Sequence, residues 1–137
     1  MKLLVDANIL LDVMQAREPY VKDSSLIWKL CETGEAKGYV SALTFANLVY
    51  VMRRELDPKA IHDVLNKLQL IFHIAALSEA DLKQAAEMEW KDFEDAILCA
   101  TARRIRADYI ITRNVKDFLQ SRTVLAFTPA EFLERYL

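Results

Sequence analysis

The stretch DFEDAILCATARRIRADYIITRNVKDF, Asp92–Phe118, decides the fold. It opens on three acids, Asp92, Glu94 and Asp95, and runs into Ala96-Ile97-Leu98-Cys99-Ala100-Thr101-Ala102, apolar nearly all round. A helix without a polar face belongs in the middle of a protein, packed on several sides. The run Tyr109–Ile111 follows, too brief for a helix and apolar on both faces, as buried parallel strands are. A polar turn, Thr112 to Asp117, closes the segment. Helix, strand and polar turn in that order make one unit of an α/β protein, whose ligands gather at the carboxyl ends of its strands.

The same grammar extends outward. Short apolar runs at Leu3–Val5, Tyr39–Ser41 and Ile71–Ile74 read as further strands, with a weaker fifth at Thr123–Phe127. Apolar spacing predicts helices over Ser24–Glu32, Thr44–Arg54, Lys59–Leu70, Glu79–Met88, Asp92–Arg106 and Pro129–Tyr136, and one beginning near Ile9. Asp57 is placed to cap the helix that Pro58 leads, and Ser78-Glu-Ala-Asp81 is a capping-box pattern. The expectation is a three-layer α/β fold, a central parallel sheet of four to five strands flanked by helices. Two glycines, three prolines and no linker suggest one domain over residues 1–137.

Composition narrows the class. At 53% hydrophobic residues the chain can fill a core, so disorder is excluded. Cys31 and Cys99 sit in apolar helical patterns with no C-x-x-C spacing, which fits reduced, buried thiols rather than zinc or a disulfide. The opening MKLLVDANILLDVM is broken by Asp6, Asn8 and Asp12, unlike a signal peptide. No apolar run approaches the ~20 residues of a membrane span. A cytoplasmic protein without membrane attachment is therefore expected. The formal charge of −2 lacks the basic excess of a sequence-independent nucleic-acid binder.

The acids point to chemistry by their joint placement. Asp6 follows the first strand, with Asn8 set to hold the turn or orient it. Asp95 enters the buried helix, and Asp117 follows the fourth strand's Thr112, Arg113 and Asn114. Each has a plainer reading: Asp6 and Asp92 as helix caps, Asn114 as a turn residue. Three carboxylates from distant segments, all directed to one sheet edge, repel one another and call for a cation. Oxygen donors select Mg²⁺ or Mn²⁺, and His62 and His73, the sole histidines, lie apart from these motifs. Such a site suits phosphodiester hydrolysis by metal-activated water.

At these residues the sequence resembles the PIN domain. VDANILLDVM is similar to the family's opening strand, SALTFANLVYVMRR to its second strand and helix, Asp92–Phe118 to its longest signature, and TPAEFLERYL to its ending. The resemblance implies metal ligation by Asp6, Asp95 and Asp117, with Asp92 or Glu94 as an added acid. Thr112 and Asn114 would support the metal or touch phosphate. It implies a Mg²⁺- or Mn²⁺-dependent endoribonuclease that cuts single-stranded RNA and leaves 5′-phosphate and 3′-hydroxyl ends. A VapC-like toxin with an antitoxin partner, frequently a homodimer, is the implied subset. Where many PIN nucleases carry a glutamate, this chain has Asn47, a neutral oxygen donor that adds no charge.

Arg113 and Lys116 flank the expected site and are candidates to hold RNA phosphates. Arg103, Arg104 and Arg106 read as cations at a helix end. Trp28, Tyr50, Trp90 and Phe93 read as core or interface residues rather than platforms for bases. The helix carrying Tyr50 has apolar surface to spare, which suits a dimer or antitoxin contact. The competing readings are a PIN-fold module that binds RNA or a partner without cutting, and a receiver domain. The receiver lacks an aspartate after Tyr39–Ser41 and a late-strand lysine, and no Gly-rich loop supports a phosphate-loop nucleotidase.

Overall fold

The computed structural model describes residues 1–136. Five parallel strands form its sheet: β1 (Lys2–Val5), β2 (Lys37–Ser41), β3 (His73–Ala75), β4 (Tyr109–Ile111) and β5 (Leu125–Phe127), in the order β3-β2-β1-β4-β5. Seven helices surround it: α1 (Ala7–Met14), α2 (Val21–Glu32), α3 (Ala42–Met52), α4 (Pro58–Ile71), α5 (Glu79–Met88), α6 (Phe93–Arg104) and α7 (Pro129–Tyr136). A 3-10 turn at Val115–Phe118 follows β4. The expected α/β layering and the weaker fifth strand are both present.

Alternation along the strands sorts the helices into two layers. Leu3, Val5 and Ile111 face one side, where they meet Ile9, Leu10, Ile27, Leu48, Leu68 and Phe132 of α1, α2, α3, α4 and α7. Leu4 and Ile110 face the other, against Leu98, Cys99 and Ala102 of α6. Helix α6 is buried along most of its length, as its sequence demands, because α5 packs against it through Ala85. Cys31 and Cys99 are free and buried, and burial pushes the Cys31 thiol up to about 12. Gly38 in β2 makes room for that layer: a Cβ there would lie 2.6 Å from Cys31 Sγ and 2.8 Å from the Phe72 ring.

Caps set the helix starts. Asp57 accepts from the Ala60 amide at 2.8 Å, and Ser78 and Asp81 form the reciprocal capping box. The boundaries shift elsewhere. Ile71 and Phe72 do not begin the third strand: Ile71 ends α4, and Phe72 is its cap, buried edge-on against Trp28. Helix α1 starts at Ala7 rather than near Ile9, α2 starts at Val21 rather than Ser24, and α6 stops at Arg104.

Strand order reverses direction at β1, which has β2 on one side and β4 on the other. The crevice at the carboxyl ends of β1 and β4 is therefore the topological switch point.

Candidate active site

Asp6 stands at that crevice. Its backbone amide continues the sheet by donating to Ile111 O at 2.9 Å, and Thr112 continues β4 by donating to Phe127 O at 3.0 Å. The two residues are thus neighbours by register. The Thr112 hydroxyl, fully buried, donates to Asp6 Oδ2 at 2.8 Å, and the Ala7 amide donates to Oδ1 at 2.7 Å. Asp6 therefore does cap α1, and the capping bond also fixes its carboxylate at the strand end. The bonds that hold it come from Ala7 and Thr112 rather than from Asn8. The Asn114 amide closes the arrangement by donating to Thr112 Oγ1 at 3.1 Å.

Helix α6 brings the other acids. Asp92 is its N-cap, accepting from the Asp95 amide at 3.1 Å, so the capping reading of Asp92 holds as well. Asp95, half-buried, has its carboxyl raised to about 7, first by burial and then by Asp92, Asp6, Asp117 and Glu94 in turn. Asp6 is raised too, mainly by burial, although the bonds from Thr112 and Ala7 pull the other way. A carboxylate feels another strongly only within several ångströms. Asp95 thus feels Asp92, Asp6, Asp117 and Glu94, and of these Asp92, Glu94 and Asp117 also line one cleft.

Oxygen donors crowded without compensation fit a hard cation in charge and donor type. Among the described residues, no three acidic, cysteine or histidine groups stand close enough together to grip an ion as placed. The fit accordingly rests on chemistry rather than on a formed cage. Asn47 is half-buried on α3, one turn beyond Leu43, which packs on the Ala85, Ala96 and Ile97 cluster. Residues four apart share a helix face, so Asn47 lies on the same face of α3 as Leu43.

The basic residues divide. Lys116 is exposed and lines an open cleft with Asp92, Glu94 and Asp117. Arg113 is engaged within the protein: its Nε lies 3.1 Å from Asp12 Oδ2, and its guanidinium covers the Tyr20 ring at 4.1 Å. Asp12 is fully buried and also accepts from the Ser24 hydroxyl at 3.0 Å. The pair is close but poorly aligned, since Asp12 Oδ1 and Arg113 Nε have no hydrogen-bond partner. Sequence reading missed this anchor, although a charged residue within the apolar run Ile9–Val13 was its signal. Arg104 is likewise structural, held to the buried Asp81 at 2.9 Å.

The PIN-domain family model matches residues 2–116. The chain belongs to the PIN-domain family. That match stops one residue before Asp117, whose place beside the other acids of this PIN domain rests on the cleft it lines with Asp92 and Glu94 and on its effect on Asp95. Its fold is shared with VapBC-1 of nontypeable Haemophilus influenzae, at a TM-score of 0.73 and 16% identity over 95% of this chain and 99% of that one. A toxin–antitoxin complex from Klebsiella pneumoniae matches at 0.69 and 23% identity, over 93% and 97% of the chains. VapC20 of Mycobacterium tuberculosis, described as a sarcin-ricin loop cleaving toxin, matches at 0.63 and 15%, over 79% and 86%. No curated protein sequence matches significantly. No helix among the described residues is long and apolar enough to cross a membrane.

Proposed function

We propose that this PIN domain is a Mg²⁺- or Mn²⁺-dependent endoribonuclease that cuts single-stranded RNA, and that it is the toxin of a toxin–antitoxin pair. The observation that carries the proposal is the uncompensated group of Asp6, Asp92, Asp95 and Asp117, with Asp95 raised to about 7. Asp6, Asp95, Asp117 and Asp92 would hold the cation. When bound, it would lower the pKa of a water and steady the charge on the leaving oxygen.

The chain's own residues do the rest. Thr112 fixes the Asp6 carboxylate by donating to Oδ2, and the Ala7 amide fixes Oδ1. Asp95 would present its carboxylate to the cation from the first turn of α6, and its raised carboxyl reflects how little compensates the acids around it. Lys116 and Asn114 are exposed where a phosphate backbone would pass, and Asn8 is half-buried at the start of α1. Arg113 contributes by anchoring the turn rather than by meeting substrate.

RNA as the polymer draws support from VapC20, and an antitoxin from the solved toxin–antitoxin complexes of the same fold. A homodimer would use the exposed Tyr50 face of α3, where Arg53 covers the ring at 4.0 Å. One domain over residues 1–137, working in the cytoplasm, completes the proposal. A second reading, a module that binds RNA or a partner without cutting, draws on Asn47.

The test is cleavage of a mixed single-stranded RNA pool in Mn²⁺, Mg²⁺ or EDTA by wild type, Asp6→Asn and Asp95→Asn. Cutting that needs a metal and is lost in both variants is the expected result. RNA binding that survives EDTA, with no cutting in either metal, would favour the second reading.

A further inference from the structure

The cleft that shares Asp92, Glu94 and Asp117 with the acidic group has a second wall that the proposed chemistry leaves unused. It opens over about 730 Å³. Phe93 lines it from the first turn of α6 and is 49% exposed, although a phenyl ring loses favourable burial by facing water. Trp90 lines the same cleft but is held in the core, edge-on to Phe118 at 5.9 Å between centroids. Lys91 and Lys116 also line it, both exposed, and among the described residues neither makes an ion pair.

An exposed aromatic face beside two unpaired ammonium groups has a natural complement: a flat unpaired base with a phosphate on either side. Such surfaces bind single strands by stacking and by tracking the backbone. The placement is specific, because the cleft begins at the acids and Phe93 adjoins Asp92 in the chain.

We infer that the cleft holds an unpaired base of the RNA, stacked on Phe93, with Lys116 and Lys91 on its flanking phosphates. The polymer's identity rests on the nuclease reading above. The subsite places one nucleotide beside the acids and so admits single strands while excluding paired bases, whose faces are covered in the stack. Phe93 is a substrate-positioning residue, and its reading as core or interface is replaced by this one.

The test separates binding from cutting. Asp6→Asn protein in EDTA is titrated with a mixed-sequence RNA hexamer, following quenching of Trp90 within the cleft. Trp28, the other tryptophan, lies in the opposite core layer against Phe72. Adding Phe93→Ala should weaken binding about five- to tenfold, whereas Phe93→Tyr should bind as the parent does. A hexamer with abasic sites should bind the parent as weakly as the intact RNA binds Phe93→Ala. Lys116→Ala should lower the slope of log affinity against log salt by about 0.7. Equal binding by the parent and Phe93→Ala, or no loss with the abasic strand, would overturn the subsite and leave the nuclease reading standing. Absence of RNA binding by the parent would also overturn it. Absence of cleavage by wild type would count against the nuclease reading alone.

Discussion

Helix α6 carries an acid problem at each end and solves the two in opposite ways. At its C-terminal end, Arg104 reaches Asp81 with Nε 2.9 Å from Oδ1 and a second nitrogen 3.1 Å from Oδ2, and Thr101 donates to the same carboxylate at 3.2 Å. Burial alone would raise Asp81, but these bonds and the guanidinium charge win, and its carboxyl is lowered. At the N-terminal end Asp95 meets burial and four acids, and its carboxyl is raised to about 7. The paired end stabilises the fold, while the unpaired end costs stability. That difference separates a structural carboxylate from a candidate catalytic one within a single helix.

The most direct way to break the comparison is to remove the paired acid. Asp81→Ala leaves the fully buried Thr101 hydroxyl without its partner and dismantles the capping box of α5. Urea unfolding should show a loss of roughly 2–4 kcal/mol. A loss under about 0.5 kcal/mol, the scale of a surface change, would mean that the two ends are alike after all.

The unpaired end should behave with the opposite sign. Asp95→Asn should stabilise the protein in EDTA by roughly 1–2 kcal/mol near pH 7, after discounting for solvent at a half-open group. Thermal melts should also show that the variant loses the Mn²⁺-induced rise expected of wild type. A variant less stable than wild type in EDTA would remove the premise that these charges are uncompensated.

The pH dependence sharpens this further. An acid whose folded pKa lies above its unfolded value binds its proton more tightly when folded. Stability falls as pH rises from about 4 to about 7. The gap between Asp95→Asn and wild type should therefore open across that window and close below it. The lowered Asp81 works the other way: its contribution is present above its ordinary value and fades as pH falls through the folded one. Melts across the pH range should therefore show the Asp95 difference changing between about pH 4 and 7 and the Asp81 difference changing, with opposite sign, only below about pH 4.

The smallest expected effect is at Thr112. Thr112→Val removes the bond to Asp6 Oδ2 while keeping the shape, so cleavage should fall about tenfold, a cost near 1.4 kcal/mol. Unchanged cleavage would mean that the Ala7 amide suffices to orient Asp6.

Local chemistry was the part most visible in the chain. The capping box placed α5 to the residue, and the all-apolar run after Asp95 announced a central helix. The third strand was misplaced by two residues because Ile71 and Phe72 are apolar whether they end a helix or begin a strand. Only the packing of Phe72 against Trp28 settles which. Asp6 after β1, Asp95 in the first turn of α6 and Asp117 in the turn after β4 stand where the local pattern puts them, because strand ends and helix starts follow from periodicity and capping. Phe93 and Arg113 were not legible, since exposure and partner choice depend on segments remote in sequence.

The sequence by itself determined the alternation of strand and helix, the caps, and which acids follow a strand or begin a helix, because these follow from periodicity and local hydrogen bonding. Tertiary structure alone decided which charges are compensated. Arg104 finds Asp81 and Arg113 finds Asp12, while Asp95 finds only other acids, and that outcome depends on packing across the sheet. A carboxylate's energy is set by what surrounds it in three dimensions, and neighbours along the chain are a small part of those surroundings.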